Sequence, residues 1–296
     1  MPATTDNYGT FMSTTLKRVI LIKGGGDIGT AVAVRLHRAD RPVVVVESPG
    51  SPILRRGISF GAAIDLGEIV VEGVPSRPAT TATDAIAMLT EKVVPVWTAG
   101  WAAALDAVSP QVLVDARMAK QEKNVETSRD LAPLVIGLGP GFTAGEDVDL
   151  VIETNHGSNL GRIIRKGSAE PYSGVVSLVQ GRGKERYLYA PTNGTFLTTK
   201  EIGTRIESDE VIGRIGREEF RAQFPGIVRG IVKSGTLVRK GQKLVDVDPR
   251  GVESATRAFT NRALKIAEAV LLAIEEWERR EGGDASPCTD STESLR

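Results

Sequence analysis

Four apolar residues, Val19-Ile20-Leu21-Ile22, lead through Lys23 into Gly24-Gly25-Gly26-Asp27-Ile28-Gly29, and Thr30 to Ala39 then carry Ala, Val and Leu at helical spacing. A short β-branched run of this kind reads as a parallel strand buried on both faces. Pro42 restarts the chain, and Val43 to Glu47 reads as a second such strand. Strand, glycine turn, helix and strand within about thirty residues match the size of a parallel βαβ crossover. A chain that begins this way is committed to a sheet covered by helices.

Later segments agree with that commitment. Apolar runs at Ile69 to Val74, Val93 to Trp97, Val112 to Val114, Leu134 to Leu138 and Val148 to Ile152 alternate with helical stretches at Thr83 to Glu91 and Trp101 to Ala107. Thr83-Asp84 is a suitable helix start, because a hydroxyl or carboxylate can accept the free N–H groups of the first turn. The alternation predicts an α/β fold with a Rossmann-like, mostly parallel sheet over residues 17–180, after a flexible leader over 1–16.

From Ala190 the texture becomes short β segments that repeat at one offset of 32: Gly194 with Gly226, Phe196 with Val228, Gly203-Thr204 with Gly235-Thr236, Ile206 with Val238, Asp209 with Gly241, and Ile212 with Leu244. Two such halves, neither able to bury its apolar face alone, predict a small all-β module over 185–252. A C-terminal helix over 253–281 follows, running from Ser254 to Arg280. Its residues Phe259, Ala263, Ile266, Ala267, Val270, Ile274 and Trp277 make one stripe, either a packing face or a dimer seam, so a homo-oligomer stays open. A disordered tail is expected over 282–296.

Composition narrows function. Lysine plus arginine number 37 and so do aspartate plus glutamate, a balance that argues against a nucleic-acid or membrane coat. The single cysteine, Cys288, lies in the polar tail, so no intramolecular disulfide or thiolate metal cluster can form, and a reducing cytoplasm is expected. No window approaches the roughly 20 apolar residues that span a bilayer. With two histidines, His37 and His156, and no recurrent ligand spacing, no protein-held metal is expected.

Chemistry concentrates at three places. Gly24, Gly26 and Gly29 form G-x-G-x-x-G, which permits a tight turn, close approach to a pyrophosphate and close helix–strand packing. Asp27 opens the helix whose N–H groups favour an anion. Glu47, 18 residues after Gly29, is placed to accept ribose hydroxyls, while Arg55 and its neighbour Arg56 can answer a phosphate instead. The alternative is a plain tight turn. The second place is Asp115-Ala116-Arg117 at a strand end, either a ligand-orienting pair or simply paired with each other. The third is the loop with Gly139 and Gly141, which exposes N–H groups, together with Glu153 and Asn155. In open α/β sheets all three would lie beyond the carboxyl ends of strands.

The β segment, APTNGTF through KLVDVDPRG, resembles the paired half-motifs of biotinyl and lipoyl barrel-sandwich domains. The segment joining its halves, Gly213 to Pro225, holds no lysine, so no lysine-linked biotin or lipoate is expected. More broadly, GGGDIGTAVAVRLHRA, LRRGISF, VVEGV, LVDARMAK, VIGLGPGFTAGEDVDLVIETN, LGRIIRKGSAEP and KLVDVDPRG resemble the selenium-dependent molybdenum hydroxylase system accessory proteins. That resemblance implies an accessory role in maturing a molybdenum hydroxylase, with the hydroxylase or another maturation protein as partner. The ligand would be an NAD(P)-like dinucleotide or the molybdopterin dinucleotide. Where that family usually has Asn-Arg-Gly-His this chain has Asn155-His156-Gly157-Ser158. A free-standing NAD(P)-dependent oxidoreductase and a nucleotide-sensing module without turnover are the alternatives from other classes.

Overall fold

The computed structural model describes residues 18–118 and 126–283. The expected leader, Cys288 with the 284–296 part of the tail, and Ala119-Lys120 lie outside the described residues.

The predicted crossover is β1 (Ile20–Lys23), α1 (Asp27–His37) and β2 (Val43–Val46), with β1 and β2 parallel and every strand residue buried. After α2 (Ala63–Leu66), the apolar stretch from Ile69 to Val74 proves to be a hairpin between β3 (Ile69–Val71) and β4 (Val74–Ala79). Glu72 and Gly73 both have positive φ, 52° and 81°, as a two-residue hairpin turn requires.

Next come α3 (Ala82–Thr90), β5 (Val94–Trp97), α4 (Trp101–Val108), β6 (Val112–Asp115) and β7 (Leu134–Leu138). They are followed by β8 (Thr143–Ala144), β9 (Leu150–Ile152), β10 (Ile163–Ile164) and β11 (Gly167–Ser168). The nine-stranded sheet runs β10-β9-β7-β6-β1-β2-β5-β4-β3, parallel except at its two outer pairs. The chain builds outward from β1 through β2, then returns through β6 on the opposite side of β1. The crevice at the carboxyl ends of β1 and β6 is therefore a topological switch point. One apolar core, which includes α1, covers one face of this sheet, and a second, which includes Ala85 of α3 and Ala104 of α4, covers the other.

The all-β part comprises β12 (Tyr187–Tyr189), β13 (Gly194–Leu197), β14 (Arg205–Ile206), β15 (Val211–Ile215), β16 (Glu218–Arg221), β17 (Gly226–Ile231), β18 (Leu237–Val238) and β19 (Lys243–Asp248). Two four-stranded sheets, β12-β19-β17-β14 and β16-β15-β13-β18, share a core that contains Phe196, Ile212, Val228 and Leu244. The sequence repeat is realised as strand pairing between the two halves. Gly194 faces Val238 while Gly226 faces Ile206, so the two pairings map onto each other at the same offset. Backbone angles repeat too: Gly203 and Gly235 lie at φ 93° and 87°, Asp209 and Gly241 at 66° and 81°.

The single helix expected from Ser254 to Arg280 is two, α5 (Ser254–Arg257) and α6 (Asn261–Gly283), broken where Ala258 is extended. Thr260 Oγ1 caps the second by accepting the Ala263 N–H at 3.1 Å. The apolar stripe of α6 is buried in the core that contains α1, so it is a packing face. No helix among the described residues is long and apolar enough to cross a membrane.

Candidate functional site

The carboxyl edge of the sheet and the all-β part face each other across a cleft of about 1310 Å³. Drug-sized ligands occupy pockets of about 300–1,000 Å³, so the space is generous. Among the described residues, nine lysines and arginines but only four carboxylates line it. In a chain of balanced charge, this excess is a local arrangement and favours an anionic guest.

The glycine turn forms one wall, and its three glycines differ. Gly24 has φ 111°. A Cβ on Gly29 would lie 1.9 Å from the Gly24 carbonyl oxygen, so α1 can approach β1 only because that side chain is missing. A Cβ on Gly26 would meet nothing within 4 Å; there the turn is open at the N-terminus of α1. The Gly25 carbonyl accepts the Gly61 N–H at 2.9 Å, and the Gly25 N–H donates to Glu47 Oε2 at 2.8 Å. Glu47 Oε1 accepts from Ser48 N–H and Ser51 Oγ. Glu47 thus lines the cleft and braces the turn at once. Three of its roughly four acceptor positions are already used.

At the end of β6, Asp115 is wholly buried and accepts the Arg117 guanidinium, with Nη2 to Oδ2 at 2.7 Å, and the Thr127 hydroxyl. The two residues pair with each other, and Arg117 alone of the two lines the cleft. Arg117 and Lys23 converge on Glu126 at 2.9 and 3.0 Å, and Lys23 Nζ sits 4.1 Å above the Trp101 ring. Burial holds the Lys23 ammonium below its ordinary pKa, against the opposing pull of Glu126.

The third constellation is largely internal. Gly139 donates its N–H to the Ile152 carbonyl, and a Cβ there would come 2.4 Å from Thr154 Oγ1. Gly139, Gly141 and Glu153 are absent from the cleft lining. Glu153 accepts the N–H groups of Thr154, Asn155 and Glu170, and Asn155 Nδ2 donates to the Glu170 and Pro171 carbonyls. These bonds fix the segment that brings Asn155, His156 and Tyr172 to the cleft. Burial and the nearby Arg262 lower the His156 pKa.

The opposite wall comes from residues that motif reading does not single out. Buried Arg186 donates through Nη2 to Asp246 Oδ1 at 2.8 Å, and Arg229 through Nη1 to Asp246 Oδ2 at 3.2 Å. Burial pushes the Asp246 carboxyl up while the two arginines oppose it. Burial also raises the Tyr187 hydroxyl to about 12, and Lys243 Nζ lies 3.5 Å from the centre of that ring. Charged residues interrupting the apolar runs of β17 and β19, Arg229 in GIVRGI and Asp246 in KLVDVD, are the sequence signal for this wall. A buried charge in such a strand needs a partner. Among the described residues, no group of three or more His, Cys, Asp or Glu is arranged to hold a metal ion.

No family model matches the chain. It is 37% identical over 257 residues to the uncharacterized protein YqeB of Escherichia coli (strain K12), covering 87% of this chain and 47% of YqeB. The chain thus spans about half the length of the curated relative it matches. Among solved structures it is similar to the product-bound ectoine utilization protein EutE (DoeB) of Ruegeria pomeroyi, at 15% identity and TM-score 0.24, covering 78% of this chain and 85% of that one. A succinylglutamate desuccinylase/aspartoacylase of Rhodobacter sphaeroides gives 16% identity and TM-score 0.25 over 78% and 85% of the two chains. Likeness at that level carries no argument about activity.

Proposed function

Taking the chain as YqeB-like over most of its length, we propose that it is an accessory factor that binds a dinucleotide-type cofactor across the cleft and serves maturation of a molybdenum hydroxylase, including a selenium-dependent one. The observation that carries the binding half is the open Gly26 turn at the head of α1, set in a cleft with nine basic and four acidic side chains among the described residues. Backbone N–H groups there and the helix N-terminus favour a diphosphate. Gly24, Gly26 and Gly29 shape that seat. Glu47 keeps an acceptor position for a ribose hydroxyl while bracing Gly25. Lys23 and Arg117, gathered by Glu126, supply a cationic flank.

Both an NAD(P)-like dinucleotide and the molybdopterin dinucleotide meet these requirements, since both present a diphosphate between two larger groups. In this reading the all-β part is a barrel-sandwich-like wall and docking element for a hydroxylase or a second maturation protein, and the protein works in the cytoplasm. The maturation half rests on the family resemblance of the motifs.

Gly26→Asp tests the binding half cleanly. Its backbone, at φ −71°, suits any residue, and its Cβ would touch nothing, so the variant should fold while setting a carboxylate where the phosphates belong. Native mass spectrometry of freshly purified protein should show a co-purifying phosphorylated ligand in the parent and none in the variant. Equal ligand occupancy in both proteins would rule out this placement of the diphosphate. For the maturation half, deletion should leave a hydroxylase synthesised but inactive, with incomplete cofactor; a fully active hydroxylase in the deletion strain refutes it.

A further inference from the structure

Arg55 leaves the α/β part and ends among residues of the other wall. It is 5% exposed, and its Nη2 donates to the carbonyls of Ala255 at 3.1 Å and Ala258 at 3.0 Å, at the break before α6. Its Nε and Nη1 are buried with no hydrogen-bond partner among the described residues. Two carboxylates, Asp27 and Asp246, act on Arg55 through charge without a hydrogen bond to it, and Asp246 already accepts from Arg186 and Arg229. Arg186 and Arg229 therefore share one buried carboxylate, and Arg55 beside them has no carboxylate in hydrogen-bond contact. Burying charge without a partner is strongly unfavourable, and an incoming anion removes that penalty.

We infer that Arg55 and Arg229 form a second anion subsite, built jointly by the α/β part and the all-β part, that holds a phosphate group of the ligand apart from the diphosphate at the glycine turn. The inference rests on reading the cleft as the site of a phosphate-bearing ligand. It makes the all-β part a contributor to binding and selects ligands with a further phosphate over those with a diphosphate alone. Burial, followed by repulsion from Arg229, lowers the Arg55 pKa to about 10, the direction expected where positive charge is in excess. Arg229 Nε is fixed on the Ala255 carbonyl at 3.2 Å, the same carbonyl that Arg55 uses, so one backbone group positions both cations.

Titration calorimetry and thermal melting of the full chain with sodium phosphate, against chloride at matched ionic strength, test this. The parent should bind inorganic phosphate and melt higher in it. Arg229→Gln should weaken phosphate at least tenfold. Asp246→Asn, which removes the competing carboxylate and leaves the three arginines, should bind phosphate more tightly than the parent and gain more melting temperature from it. If Arg229→Gln does not fold, Asp246→Asn carries the test. Phosphate binding unchanged in both variants overturns the subsite and leaves the glycine-turn reading standing. In the Gly26→Asp background, where the turn is blocked, phosphate should still bind and Arg229→Gln should still weaken it at least tenfold. Loss of phosphate binding there would mean that the turn and the arginines are one site, which also overturns the inference. Conversely, nucleotide binding indifferent to Gly26→Asp, together with phosphate loss in Arg229→Gln, defeats the glycine-turn reading and not the subsite.

Discussion

Adjacent glycines of one turn carry unequal burdens, and the difference is measurable. Gly29 lets the main chain of α1 approach the Gly24 carbonyl, where any Cβ would be far inside contact distance, with backbone rather than a flexible side chain in the way. Gly29→Ala is expected to cost about 3 kcal/mol, the upper range for overpacking that backbone must absorb. Gly26→Ala meets open space at an ordinary φ and should stay within about 0.5 kcal/mol of the parent. Urea unfolding of the two alanine variants measures both; equal costs would show that helix α1 shifts freely, contrary to its close fit on β1. The three glycines were legible because their spacing encodes steric needs that hold within six residues. Arg186 and Arg229 were not, since their shared carboxylate, Asp246, lies 60 and 17 positions away and only the fold joins them.

At the scale of elements, periodicity located the strands and helices while side-chain chemistry placed their ends. Helix α3 begins two residues after Thr80 and not at Thr83, because Thr81 is extended and its Oγ1 accepts the Asp84 N–H at 3.1 Å. Both threonines precede an apolar stretch, so pattern alone does not choose between them. Thr81→Ala should therefore lose about 1 kcal/mol, the usual worth of an N-cap, and Thr83→Ala close to nothing. Chemical denaturation of the pair decides it, and a larger loss at Thr83 would place the cap wrongly. The break before α6 has the same origin. No glycine or proline marks it, yet Arg55 takes the carbonyls of Ala255 and Ala258, and Thr260 restarts the helix. A residue two hundred positions upstream ends that helical turn, which no local pattern can reveal.

For the molecule as a whole, alternation of strand and helix gave the α/β class but not the strand order, and the cleft depends on that order. Only because the chain crosses from β5 back to β6, on the far side of β1, do Gly24 and Arg117 open into one crevice. The fold also gathers charge, drawing basic residues of both the α/β part and the all-β part to this crevice. With 37 basic and 37 acidic residues in total, a cleft with nine basic and four acidic side chains leaves the rest of the chain with five more acidic residues than basic ones. From far away these cancel, so an anion is not drawn to the molecule at large. Within a Debye length, about 10 Å at 0.1 M salt, the cleft dominates. Association of inorganic pyrophosphate should therefore slow by about tenfold between 50 and 500 mM potassium chloride, through loss of local focusing. Uncharged adenosine should show no such slope, and stopped-flow or surface-plasmon rates at four salt concentrations distinguish the two. A salt-independent on-rate for pyrophosphate would mean that the arginines are neutralised within the protein itself, and that the charge excess of the cleft has no bearing on how its ligand arrives.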